Sequence, residues 1–323
     1  MTYREMTNLA LRYDQFGPPR EVLGAVSLPM PESAPGRLLV EMILAPINPS
    51  DLIPITGAYS HLIKPPMIAG YEGVGRVVEA PEQYAHLVGQ RVLPLRSEGT
   101  WQRFLQCDPE IAVPVPDMIP DDLSARGYIN PLTASYLLRE WPVAGKRVIL
   151  TGAGSFIAAI LAQWAQQDGA REVIGIYRSP ERREVLAALG VVPVHESDSQ
   201  QIAVLAQGSE ITFDAVGGAG AMAILNAMPK GAECVGYGLL SGQSVFPNAQ
   251  TQANLRRFHL RDRLKDLSPT AWQDGFKTLW PRLAKTNLPG IEVFEATDWR
   301  KALDAFDRSG RAGKPLLRFS EGS

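Results

Sequence analysis

The stretch from Val148 to Arg183 admits few folds. Val148-Ile149-Leu150 is a short apolar run, ended by the small residues Thr151-Gly152-Ala153-Gly154-Ser155. From Phe156 to Gln167 apolar residues recur at helical spacing, with Ile157, Ile160, Leu161 and Trp164 on one face. A second apolar run, Val173-Ile174-Gly175-Ile176-Tyr177, follows after a turn. Strand, tight turn, helix and strand in this order make the opening βαβ unit of a nucleotide-binding sheet. Small residues let the turn bend sharply and approach an anion, and the helix behind it presents backbone N–H groups. Gly152, Gly154, Ser155, Phe156 and Ile157 are the candidate pyrophosphate contacts. The pattern is incomplete: the third glycine of such a turn falls on Ile157 or Ala158. Many strand-to-helix turns bind nothing, so the rest of the chain has to decide.

The second strand ends in Tyr177-Arg178-Ser179-Pro180-Glu181-Arg182-Arg183. A dinucleotide without a 2′-phosphate usually meets Asp or Glu here, accepting from the ribose hydroxyls. Ser179 followed by Pro180 reads as an N-cap and first helical residue. Arg178 and Arg182 then crowd a helix N-terminus, which disfavours cations by ~0.3–1 kcal/mol each. That arrangement makes sense if an anion sits among them. The 2′-phosphate of NADP is the obvious one, with Arg as bidentate partner; solvated surface arginines are the alternative. The expectation is NADPH over NADH.

With 323 residues, 45% hydrophobic and 20% charged, the chain reads as an ordinary soluble globular protein of one large or two medium domains. A net charge of −2 gives no electrostatic case for nucleic acid or anionic membrane. No apolar run approaches the ~18 residues of a transmembrane helix. Met1 to Arg12 lacks the apolar core of a signal peptide. Cys107 and Cys234 are far apart, in neither disulfide-framework nor metal spacing. A reduced, cytoplasmic setting is the default expectation.

Before Pro120 the chain is rich in Pro, Gly and short apolar runs: Leu38 to Ala45, Gly73 to Glu79 and Gln90 to Leu95. Short strands between turn residues suggest a β-barrel-like domain. Asp121 to Leu138 is helical in pattern, broken at Pro131. Five apolar strand candidates then alternate with helices: Val148–Leu150, Val173–Tyr177, Val191–Val194, Ile211–Val216 and Cys234–Tyr237. Leu255 to Leu264 is a possible sixth strand. That alternation argues a parallel, doubly wound α/β sheet. A helix (Ala271 to Leu283), a strand (Ile291 to Glu295), a helix (Asp298 to Ser309) and a strand (Lys314 to Phe319) close the chain. This tail is too small to stand alone, so it is expected to return to the first domain. Residues 1–120 and 266–323 then form one domain and residues 121–265 the Rossmann domain. A cleft between them is where ligands commonly bind.

Ala45-Pro46-Ile47-Asn48-Pro49-Ser50-Asp51, Gly57-Ala58-Tyr59 and Gly70-Tyr71-Glu72-Gly73-Val74-Gly75 carry a family resemblance. Pro131-Leu132-Thr133-Ala134, Phe213-Asp214-Ala215-Val216-Gly217-Gly218 and the run from Pro229 to Gln243 continue it in order. The chain resembles the medium-chain dehydrogenase/reductase superfamily, most closely the 2-enoyl thioester reductases, with the quinone oxidoreductases as near neighbours. That implies a GroES-like β-barrel domain ahead of a Rossmann domain. Zinc-dependent members hold metal through a Cys and a His at the places where this chain has Asn48 and Tyr71. Glu72 is the one suitable ligand type beside them, and His61, His86, His195 and His259 have no ligand spacing. No metal is expected.

The resemblance assigns the tyrosine of the Gly-x-Tyr phrase, here Tyr59, as proton donor. Hydride would add to Cβ of an α,β-unsaturated thioester and Cα would then be protonated. A phenol is a weak acid in water, but a positioned one can donate to a basic enolate. Tyr59 could instead be an exposed loop tyrosine, and His61 is a rival donor or a solvent-facing histidine. Asn48 would line the pocket near the nicotinamide ribose, or simply form the turn before Pro49. Thr133 would place a hydroxyl near the nicotinamide, or bond its own helix. Gly217 and Gly218 would let the backbone approach the cofactor, and Tyr237, Gly238 and Leu239 would lie along the nicotinamide; either pair of glycines could serve plain turns. Phe258-His259-Leu260 would contact the carboxamide, although the family pattern has Trp where this chain has His259.

Three functions follow as expectations. The first is an NADPH-dependent 2-enoyl thioester reductase acting on a CoA or acyl-carrier-protein substrate. The second is an NADPH-dependent quinone or enone reductase for small free electrophiles. The third is a non-catalytic NADPH-binding protein, against which Tyr59 and the full cofactor motif set speak. By analogy the chain would be a homodimer joined through the last strand of its nucleotide sheet.

Overall fold

The computed structural model describes residues 6–32 and 34–320. The chain divides into two compact units. The first is Met1–Ile129 with Leu267–Lys285 and Gly290–Ser323; the second is Asn130–Asp266 with Thr286–Pro289. The boundary thus lies at Ile129, nine residues beyond Pro120, and a four-residue piece near the C-terminus joins the second unit.

The first unit is organised on the strand Leu38–Pro46, apolar along nearly its whole length because it is buried on both faces. It pairs antiparallel with Val74–Glu79, with Phe104–Cys107 and with the final strand Gly313–Arg318. Among the described residues these belong to a seven-stranded sheet. Leu316, Leu317 and Arg318 stand opposite Pro46, Ala45 and Leu44, so the C-terminal segment does return to the first unit. Gly290–Glu295 runs parallel beside it. A smaller sheet contains Asn8–Tyr13, a strand the sequence reading does not anticipate. Its polar first residue, Asn8, is buried and bonds both the N–H and the C=O of Phe104. Leu11, Val40, Met42, Trp101, Trp299 and Leu317 share the core of this unit.

The second unit is a parallel sheet of six described strands. Their order is Val192–His195, Glu172–Tyr177, Arg147–Leu150, Ile211–Asp214, Glu233–Gly236, Asn254–Arg257. Winding reverses between Arg147–Leu150 and Ile211–Asp214, and ligands bind outside the carboxyl ends of strands at such a reversal. Ile149, Ile174, Ile176, Val194, Ile224 and Leu225 pack one side of the sheet; burying each aliphatic contributes about 1.5–3 kcal/mol.

Three local expectations are corrected. The sixth strand stops at Arg257, and Leu260–Leu264 is a short helix. Leu260 and Leu264 are spaced by one helical turn, not by strand alternation. The helical stretch after Pro120 breaks at residues 125–128 rather than at Pro131. Pro131 is the third residue of the helix Ile129–Glu140, where its missing N–H has no intrahelical partner to lose. The helix after Tyr177 starts at Arg182 with Glu181 as N-cap. Ser179 and Pro180 form the turn before it, Arg182 N–H donating to the Ser179 carbonyl at 2.9 Å.

Candidate functional site

The reversal point is tied together by Thr151 and Asp214, both buried at strand ends. Thr151 Oγ1 donates to Asp214 Oδ1 and accepts from the Ala215 N–H at 2.9 Å. Asp214 also accepts from the N–H groups of Val216 (3.1 Å) and Gly217 (2.9 Å). One hydroxyl and one carboxylate therefore hold the turn after the first strand against the turn after the fourth. Sequence reading treats Asp214 only as part of a motif and Thr151 only as a turn residue, because their bond joins positions 63 apart.

Gly152 has φ +59°, a conformation that favours glycine. Ser155 caps the helix Phe156–Gln167, its Oγ accepting from the Ala158 N–H at 3.4 Å. Ile157 and Ala158 are buried where a third glycine would fall. The close approach of turn to sheet is instead made at Gly175, where a Cβ would come within 2.9 Å of that of Ala153. At Gly154 a Cβ would stand 3.0 Å from Cγ and 3.3 Å from Nε of Arg182. The Arg182 side chain thus lies along the glycine turn. Arg178 is exposed one residue after the strand, and the Tyr177 ring is buried edge-on against His195 at 5.3 Å.

Gly217 has φ +75°, and a Cβ there would stand 2.4 Å from the Gln243 carbonyl oxygen. Gly218 N–H donates to that same carbonyl at 2.8 Å. The two glycines thus admit the loop that follows Tyr237, which Ser241 Oγ latches onto the Val216 carbonyl at 2.7 Å. Gly238 packs its backbone on Ala215, where a Cβ would approach the carbonyl oxygen to 2.7 Å. Among the described residues the buried Tyr237 hydroxyl has no hydrogen-bond partner. Burial, then the charge of Asp214, pushes its ionisation upward. Leu239 is about half exposed. Phe258 is buried between Trp141 and Arg263, so it contributes side-chain packing, while His259 is the exposed N-cap of the short helix.

In the first unit, Asn48 stands at the N-terminal end of the short helix Pro49–Leu52, in extended conformation as a residue before proline must be. Its side chain is fully buried. Lys314 Nζ donates to Asn48 Oδ1, and Asn48 Nδ2 donates to Glu72 Oε1 at 2.7 Å. The other oxygen of Glu72 accepts from the Ile129 N–H at 2.8 Å. Asp51 accepts from the N–H of Asn48 (2.8 Å) and of Tyr71 (2.9 Å). Burial dominates the titration here. It pushes Asp51 up to about 7, with the Glu72 charge adding to the effect. It raises Glu72 and pulls Lys314 down to about 8, against the attraction of Glu72 and Asp51. Sequence reading names neither Asp51 nor Lys314 as a site residue. Lys314 comes from the final strand, and nothing local marks it.

Tyr59 lies in the turn after Gly57 (φ +90°), 36% exposed, its ring 6.5 Å from that of His61. Thr133 is buried in the second unit, on the helix Ile129–Glu140. No cluster of three or more His, Cys, Asp or Glu suited to a metal occurs among the described residues. Nor is any described helix long and apolar enough to cross a membrane.

The architecture is that of a GroES-like unit joined to a Rossmann unit. Residues 34–117 match the alcohol dehydrogenase GroES-like domain and residues 157–273 the zinc-binding dehydrogenase family. The mitochondrial enoyl-acyl-carrier-protein reductase of Arabidopsis thaliana is 31% identical over 250 residues, covering 73% of this chain and 66% of that protein. Its Caenorhabditis elegans counterpart is 30% identical over 246 residues, covering 72% and 71%. A Bacillus thuringiensis structure assigned as an NADPH:quinone reductase superposes with a TM-score of 0.89 at 30% identity, over 97% of this chain and 99% of that one. The chain belongs to the medium-chain dehydrogenase/reductase superfamily, among its enoyl thioester reductase-like members.

Proposed function

We propose that the protein is an NADPH-dependent reductase of the C=C bond of α,β-unsaturated (2-enoyl) thioesters. The observation that carries this reading is the Lys314–Asn48–Glu72 chain of hydrogen bonds. The amide oxygen already accepts from an ammonium, and a buried ammonium repels a metal cation. Without a metal the proton would come from a side chain, and the family resemblance points to Tyr59, in the turn after Gly57. Likeness to two enoyl-acyl-carrier-protein reductases supports the substrate class.

Bound NADPH supplies a hydride to Cβ of the enoyl group. Gly152, Gly154, Ser155, Phe156 and Ile157 would hold the pyrophosphate against the helix N-terminus. The Arg182 side chain along Gly154, together with Arg178, fits a 2′-phosphate. The orphaned Tyr237 hydroxyl fits a site completed by a polar ligand. Gly217, Gly238, Leu239, Phe258, His259, Leu260, Asn48 and Thr133 would line the nicotinamide end. Tyr59 would deliver its phenolic proton to Cα of the enolate. The acyl carrier would be CoA or an acyl carrier protein. The reading includes a homodimer and a cytoplasmic setting, in keeping with two free, buried cysteines.

NADPH oxidation measured with crotonyl-CoA and, separately, with a benzoquinone tests the substrate class. Turnover of crotonyl-CoA, reduced about tenfold or more in Tyr59→Phe, is expected. The likeness to the Bacillus thuringiensis structure favours quinone reduction as a second reading. Turnover of benzoquinone alone would replace the first reading with it.

A further inference from the structure

Glu140 is the last residue of the helix Ile129–Glu140. Backbone carbonyls gather at a helix C-terminus, so a carboxylate is disfavoured there. Here it is matched by Arg263, whose Nε and Nη2 donate to Glu140 Oε1 and Oε2 at 2.9 and 2.7 Å. The Arg263 and Glu140 side chains are 26% and 27% exposed, so water and salt screen this pair less than one at the open surface.

Arg263 has a second contact. Its guanidinium lies over the ring of the buried Phe258, 4.8 Å from the centroid, within the range of a cation–π attraction. Trp141, the residue after Glu140, meets the same ring edge-on at 6.4 Å. The Phe258 N–H donates to the Gly236 carbonyl at 2.9 Å and so carries the ladder of the strand Asn254–Arg257 one residue further. Among the described residues that strand ends the sheet and pairs on one side only, with Glu233–Gly236. A one-sided ladder leaves side chains to fix where the strand's end sits. Those side chains are Glu140, Trp141 and Arg263. Glu140 ends the helix that carries Thr133, and Arg263 lies in the helix Leu260–Leu264 that starts after His259. One guanidinium therefore ties the turn Phe258–Leu260 to the helix of Thr133, from both of its ends.

We propose that Arg263 and Glu140 are positioning residues for the nicotinamide end of the cofactor, acting by clamping the turn Phe258–Leu260 to the helix that carries Thr133. This rests on the reading above that Phe258, His259 and Leu260 line that end. It is tested by calorimetric titration of the whole chain with NADPH and with adenosine 2′,5′-bisphosphate, which has the 2′-phosphate but no nicotinamide. Arg263→Met is expected to raise the NADPH dissociation constant about fivefold, the scale of one charge-assisted contact, and that of the bisphosphate less than about twofold. Adding Glu140→Gln to Arg263→Met should cost nothing more, because the two side chains act as one pair. Should Arg263→Met fail a melting check, Glu140→Gln alone gives the ratio of the two constants a shift of about two- to threefold. Equal weakening for both ligands marks a merely structural pair and overturns the inference, as does an unchanged ratio. Phe258→Leu disturbs the turn directly and separates the two failures. A ratio that moves in Phe258→Leu but not in Arg263→Met overturns the clamp and leaves the nicotinamide reading in place. A ratio that moves in neither overturns both.

Discussion

Lys314 donates to the amide oxygen of Asn48 across 266 positions of the chain, and both side chains are buried. This fixes which way the amide faces, since its nitrogen is then left to donate to Glu72. The pair also brings an ammonium beside two buried carboxyls, Glu72 and Asp51.

Lys314→Met strands those carboxyls without their cation. Removing one partner of a buried ion pair costs about 3–5 kcal/mol. Lys314→Met combined with Glu72→Gln is expected to recover much of that, because the second change removes a charge that lost its partner. Urea denaturation of the single and double variants is the check; equal destabilisation in both would mean that packing, not charge, is at stake.

The same cluster makes stability depend on pH in an unusual sense. Asp51 rises from 3.8 to about 7, so its contribution is complete below the lower value and is lost as pH rises through the upper one. Lys314 falls from 10.5 to about 8, so its contribution is complete above the upper value and is lost as pH falls through the lower one. The cluster therefore stabilises the fold least between about pH 7 and 8. Melting temperature against pH for Asp51→Asn, compared with wild type, should show a smaller decline on the acid side, the share of the raised Glu72 carboxyl remaining. The amide of that variant has one acceptor oxygen where the carboxyl offers two, so one of the two N–H donors loses its partner. That loss is about 1–3 kcal/mol at every pH.

Thr151→Val removes a hydroxyl that both donates to Asp214 and accepts from Ala215. The isosteric change leaves a buried N–H unpaired, at about 1–3 kcal/mol. Because the same bonds hold the turn at Gly217, NADPH affinity should fall as well. Chemical denaturation and cofactor titration read the two effects separately.

Gly154→Ala and Gly217→Ala should differ sharply. At Gly154 the added methyl meets the flexible stem of Arg182. Stability should change by less than about 1 kcal/mol while NADPH binding weakens severalfold. At Gly217 the methyl meets a backbone carbonyl at 2.4 Å with φ +75°, and the fold should lose about 2 kcal/mol or more. Melting curves alongside NADPH titration distinguish them.

Whatever depends on short-range pattern was legible in the residues themselves. Apolar runs alternating with helical spacing marked the sheet of the second unit. Small residues marked the turn at Gly152–Ser155, and ordered motifs marked the family. Helix starts near proline were less legible: Ser179-Pro180 has the composition of a cap but is used as a turn, closed by the Arg182 N–H on the Ser179 carbonyl, and the helix starts at Arg182. Pairings between distant positions emerge only in the folded chain. Lys314 reaches Asn48 only because the last strand pairs with Leu38–Pro46. Thr151 reaches Asp214 only because their strands are neighbours at the winding reversal. Residue types along a chain carry their own propensities, but a buried charge or hydroxyl acquires its role from the partners that sheet register sets opposite it.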